Sequence, residues 1–275
     1  MKMKKLVQGI VGVGVGCVVA GSAMAGSSSK FAATYSTDAG LSSVVVTGGG
    51  AEPAYVAYDM REVHDHGYTL ATIKVPQDKE LLVGVSAEIG IVTYGSVKGK
   101  NGGSGTAKAD GNAQVTVFAI PTDTTVDHSD PTTQGKSAHP GTIMLSRRIQ
   151  ELSATLGGVI ESCTDTSGEG TITIATECTV TDEEIGLLLD TTAAHHFNFV
   201  LPNMNQGVYD IKAVFTTGAR AEVDICDAGE ACSYDPDGTV TGSAEAKAII
   251  NKTMLTVQQV RAAKDGLQET DIIEP

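Results

Sequence analysis

The sequence predicts a mainly β protein, an antiparallel β-sandwich of Greek-key or jelly-roll type. Two observations carry that expectation. Apolar residues recur at every second position through most of the chain after Tyr68, which is the period of a strand with one buried face. Clusters of Gly, Asn, Asp, Ser and Pro separate these runs, and such clusters mark turns.

The chain has 275 residues. Residues 1–25 read as a secretory signal peptide. Lys2, Lys4 and Lys5 form a basic start, an apolar run extends from Leu6 to about Ala20, and Ala23-Met24-Ala25 is a small-x-small cleavage site. The run is Gly-rich and short for a membrane span. A competing reading places a lipid on Cys17, because Gly14-Val15-Gly16-Cys17 loosely resembles a lipobox. Leu is missing there and the next residues stay apolar, so cleavage after Ala25 is the expectation. It predicts a secreted, periplasmic or cell-surface protein with no transmembrane segment in the mature chain.

Residues 26–60 read as a Ser/Gly-rich arm, with Val44-Val45-Val46 as a short strand at most. The sandwich is expected over 61–262. Its clearest strand is Leu81–Tyr94, where Leu81, Val83, Val85, Ala87, Ile89 and Ile91 share one face. The segment 106–120 continues in step through Ala113, Val115, Val117 and Ala119. Residues 121–141 contain Pro121, Pro131 and Pro140 without apolar periodicity, and read as a long loop within one domain. Residues 143–156 suit a strand in their first half and a helix in their second. Thr171–Val180 reads as a strand from its Thr/Ile content.

One short helix is expected near 181–190. Thr181 with Glu184 forms a capping box, and Ile185, Leu188 and Leu189 give an apolar helical face. Strands resume at Phe197, Phe199 and Leu201. Tyr209 then opens the next strand directly after Gly207. That position suits an Ig-like tyrosine corner, in which the hydroxyl bonds upstream backbone. Further on, Gly242, Ala244, Ala246 and Ala248 make a face of very small residues. Residues 263–275 read as a polar tail.

Net charge is −14, and loss of the three leader lysines makes the mature chain more acidic. A field of that sign repels phosphate backbones and argues against nucleic-acid partners. Four cysteines remain after the leader. Cys163 with Cys178 and Cys226 with Cys232 bracket turn-rich segments, and pairing within each bracket is the expected disulfide pattern of an exported chain.

Two metal readings arise. Asp224, Asp227, Glu230, Asp235 and Asp237 cluster around the second cysteine pair. Hard oxygen ligands at that density suit Ca2+, although the full calcium-loop spacing is missing; the bland alternative is a solvated acidic turn. His64 and His66 would share one strand face, as transition-metal ligands do, with His195 and His196 as a second cluster.

No G-x-S-x-G, H-E-x-x-H or P-loop order occurs. Trp is absent and aromatics make up 4% of the chain, which disfavours the stacking platforms of sugar clefts. The sequence therefore points to an exported, non-enzymatic protein with a surface, matrix or interaction role and no cofactor. A calcium- or metal-dependent binding domain is the alternative, and a secreted hydrolase a second one. An interaction role predicts a protein partner or self-association through strand addition. The sequence offers Leu81–Tyr94 and the flat Ala244–Ala248 face as the edges for it.

Overall fold

The structure, a computed structural model, describes residues 31–37, 39–49, 54–62, 69–77, 79–100, 102–122, 135–168, 170–226 and 240–261. The first 30 residues, residues 262–275 and the centre of the 121–141 segment lie outside the described residues. No described helix is long and apolar enough to cross a membrane.

The described residues form thirteen strands: β1 (Phe31–Ser36), β2 (Gly40–Gly49), β3 (Ala54–Glu62), β4 (Thr69–Val75), β5 (Lys79–Gly99), β6 (Gly103–Pro121), β7 (Lys136–Ser137), β8 (Ile143–Leu156), β9 (Val159–Cys163), β10 (Cys178–Thr181), β11 (Glu183–Met204), β12 (Gly207–Cys226) and β13 (Thr241–Val260). One turn of helix, α1 (Ile174–Glu177), precedes β10. A five-stranded sheet runs β1-β13-β5-β11, with β2 also on β13. A six-stranded sheet runs β3-β12-β6-β7, with β4 also on β12 and β8 also on β6. The main pairings are antiparallel, and the two sheets face each other as a β-sandwich.

Period 2 decides what lies between the sheets. Odd-numbered residues of β5, from Leu81 to Ile91, are buried, as are Val115, Val117, Ile211, Ala213 and Phe215 on the facing sheet. Large side chains fill this half. The other half is packed by Ala107, Ala109, Ala219, Ala221, Ala244 and Ala246 with a few valines and isoleucines. Small residues let the sheets approach closely there. A Cβ on Gly111 of β6 would lie 2.8 Å from Ile91 Cγ2 and 3.0 Å from the Lys247 carbonyl oxygen. Each fully buried Val, Leu, Ile or Phe side chain in this slab contributes about 1.5–3 kcal/mol, and each alanine less. Ser42 and Thr217 are also buried, and their hydroxyls bond each other at 2.8 Å, which removes most of the desolvation cost.

Four sequence expectations are corrected. Residues 181–190 are not a helix: Glu183–Asp190 pairs with Val92–Gly99 of β5, in one register that continues to Leu201. An isolated ten-residue helix gains little in water even with a capping box, whereas each strand residue here extends an existing ladder. The second half of 143–156 is strand, for the same reason, along β6. Much of the supposed arm belongs to the sandwich, since β1 and β2 pair with β13 and β3 pairs with β12. Thr171–Glu177 is mostly loop and one helical turn, with strand only from Cys178.

Candidate functional site

Strand β11 lies at the edge of its sheet, and its two halves differ. Odd-numbered residues face the other sheet. In the C-terminal half this buries Phe199 and Leu201 completely, and the Phe197 and Phe199 rings meet edge to face at 5.3 Å. In the N-terminal half the same face carries Ile185, Leu187 and Leu189, which are 40%, 42% and 40% exposed. The cause is the width of the opposing sheet. Its edge strand β8 lies beneath β5: a Cβ on Gly95 of β5 would sit 3.6 Å from Leu152 Cβ. β11 therefore lies over the margin of that sheet, in contact with β8 but only partly covered among the described residues. Leu188, on the outer face, is 62% exposed.

The free edge itself has a readable polarity. At the C-terminal end, His139 donates its N–H to the Val200 carbonyl at 2.8 Å, and the Val200 N–H donates to the His139 carbonyl at 3.0 Å. Both backbone groups of Val200 thus point away from β5. The β11–β5 register is unbroken from Glu183 to Leu201, and backbone groups alternate along a strand. The even-numbered residues Glu184, Gly186, Leu188, Asp190 and Thr192 accordingly aim N–H and C=O outward. Gln150 of β8 steadies this half from inside. Its amide donates to the Leu187 carbonyl at 2.7 Å and its Oε1 accepts from Thr93 at 2.7 Å.

Two edge positions are occupied. The His139 bridge closes the lower part of β11. On the far side of the sandwich the Ser43 N–H of β2 donates to Asp59 of β3 at 3.1 Å, and a carboxylate turned onto an edge blocks further pairing. The strands that the sequence offered as edges are not edges: β5 lies between β13 and β11, and β13 between β5 and the β1 and β2 pair. The Ala244–Ala248 face is buried. This edge was missed because Ile185–Leu189 matched a helical face.

The remaining candidate residues are dispersed. His64, His66, Asp227, Glu230, Asp235, Asp237, Cys232 and the side chain of Cys226 lie outside the described residues. Asp224 sits on β12, where burial and the neighbouring Glu222 charge raise its pKa. His195 and His196 occupy opposite faces of β11 and do not converge on one ion. His196 Nδ1 lies 2.8 Å from Ser86 Oγ and its Nε2 3.2 Å from Asn198 Oδ1. Among the described residues, no three His, Cys, Asp or Glu side chains group as a metal site. Tyr209 donates its hydroxyl to the Asn205 carbonyl at 3.2 Å, four residues upstream. A shallow cavity of about 210 Å³ beside it is lined by Lys136, Asn203, Met204 and Asn205 among others, with no carboxylate.

Cys163 and Cys178 form a disulfide at the base of a loop between β9 and β10. Two carboxylates organise that loop. Asp165 accepts the Gly168 and Gly170 N–H groups and the Ser167 hydroxyl, and these bonds lower its pKa. Glu177 accepts the N–H groups of Thr173, Thr166 and Ser167 and the Thr166 hydroxyl, which hold its carboxyl at about 2 against an ordinary 4.5. A depressed pKa means that this ordering is fully present above the ordinary value and lost as pH falls through the folded one. Amide protection across Cys163–Cys178 should hold from pH 7 to about 5 and fall between there and about pH 2. Glu177→Gln should flatten that profile, and hydrogen exchange by mass spectrometry reads both.

No protein-family model matches the chain, and no curated protein matches it. Among solved structures, the chain is similar to infectious bursal disease virus of the Gx strain, at 11% identity and TM-score 0.18, covering 79% of this chain and 40% of that one. For the Gt strain the figures are 14%, 0.19, 85% and 45%. A CocE/NonD family hydrolase from Staphylococcus aureus follows at 11% and 0.13, covering 74% and 33%. The chain spans less than half the length of these structures.

Proposed function

We propose that this is an exported, non-catalytic β-sandwich protein that acts by contact with another protein chain, at the N-terminal half of β11. One observation carries the reading. Ile185, Leu187, Leu188 and Leu189 are exposed together on a strand whose outer side is covered by no other strand among the described residues. Monomeric proteins usually blunt such an edge, and the far edge of this sandwich is blunted by Asp59. An extended chain added here gains main-chain hydrogen bonds and covers apolar area at once, which is the strand-addition mode of recognition. The leader-like first 25 residues and the acidic mature chain suit an exported, soluble role.

The test uses a fluorescent extended peptide in which Val alternates with Thr and lysines flank the ends, chosen to match the acidic edge. Saturable binding by anisotropy is expected, weakened at least tenfold by Leu188→Lys. Absence of binding to the chain at a concentration where it is monomeric, or turnover of esterase, peptidase or glycosidase substrates by the purified chain, overturns the reading.

A further inference from the structure

We infer that the chain added at this edge is β11 of a second copy, paired antiparallel about a twofold axis through Leu188. The inference rests on the strand-addition reading and names its partner. The outward backbone groups belong to the even-numbered residues, so an antiparallel self-pair must place even opposite even. That leaves a small set of registers; charge removes the centres at Leu187 and Asp190, and apolar matching favours Leu188 over Leu189, where Leu188 would face Asp190. Centring on Leu187 sets Glu184 against Asp190 in both directions, and centring on Asp190 sets two aspartates face to face. Like charges directly opposite are destabilising.

Centring on Leu188 removes every such conflict. Asp190 then faces Gly186, Glu184 faces Thr192 and Glu183 faces Ala193. Each acid meets a small uncharged residue at its mirror position. The apolar residues match as well. Leu188 meets Leu188, and Leu187 meets Leu189 on both sides of the axis, on the face where Leu187 and Leu189 are 42% and 40% exposed. Such a contact is isologous and uses one edge per molecule. Because each molecule uses the same edge, the contact closes as a dimer and does not by itself propagate as a fibre.

Size-exclusion chromatography with light scattering on the mature chain should give twice the monomer mass, and Leu188→Lys should return it to one. The register is read by cysteine cross-linking. Opposed residues of a hydrogen-bonded antiparallel pair have Cα atoms about 5.5 Å apart, within disulfide reach. In this register the two Thr192 Cα atoms lie about 27 Å apart at the usual strand rise. Leu188→Cys should therefore form a self-linked dimer under mild oxidation at least tenfold faster than Thr192→Cys, with the 188–188 link confirmed by peptide mapping. A monomer at all concentrations that still binds the extended peptide overturns the second-copy inference and leaves the strand-addition reading standing. A monomer that binds no peptide overturns both. A dimer in which Thr192→Cys links as fast as Leu188→Cys overturns the pairing.

Discussion

Replacing Phe199 by alanine is expected to destabilise the fold by about 3–5 kcal/mol, the usual range for a fully buried aromatic. Phe199 is fully buried, and it stands where the partly covered and the buried halves of β11 meet. Its ring packs on Phe197 at 5.3 Å, and its strand neighbours Leu201 and Val83 are also fully buried. Removing the ring leaves a cavity that β5 beside it and the opposing sheet cannot fill by collapse. Urea denaturation read by circular dichroism should show the midpoint falling with little change in slope. Val45→Ala is the matched control. That side chain is 60% exposed on β2, and its truncation should change stability by about 0.5 kcal/mol or less.

Gly111→Val is expected to cost up to about 3 kcal/mol by the opposite route, overpacking. The new Cβ would meet Ile91 Cγ2 at 2.8 Å and the Lys247 carbonyl oxygen at 3.0 Å. The methyl of Ile91 can rotate aside. The carbonyl oxygen belongs to β13, a central strand paired along both sides, and it moves only if the sheet moves. The alanines of this half leave no slack, since Ala109, Ala246 and Ala248 are all at most 1% exposed. Gly90→Ala is the control. A Cβ there meets its nearest atoms at 3.6 Å or more, so the change should be near neutral or slightly stabilising, as strand glycines carry an entropic cost. Thermal denaturation of both variants decides the matter, and equal melting temperatures would refute the close approach of the sheets at Gly111.

Reading the fold from sequence succeeded where a local signal was sufficient. The alternation over Leu81–Ile91 assigns the buried face of β5 residue by residue, because a strand's two faces are set by its own pleat. The β-sandwich class follows from many such runs separated by turns. The Cys163–Cys178 bond was legible from spacing, because a short turn-rich segment brings its own ends together. The candidate site was not legible in this way. Ile185, Leu188 and Leu189 satisfy helical spacing as well as Ile185, Leu187 and Leu189 satisfy strand spacing, and no nearby residue separates the two.

What this sequence determined by itself is therefore which side of each strand is apolar, where the turns fall, and that the small residues 242–248 form one face. What only the tertiary structure decided is which strands are central and which are edges. That choice made β5 and β13 interior, turned a capped helical segment into strand, and left Ile185–Leu189 at the margin of the opposing sheet, only partly covered. The reason is physical: the state of a marginal local segment is settled by the partner that pairs with it, and the partner of residues 183–201 lies about a hundred residues earlier, in β5. Exposure of an edge is likewise a property of how many strands each sheet contains, which no single segment encodes.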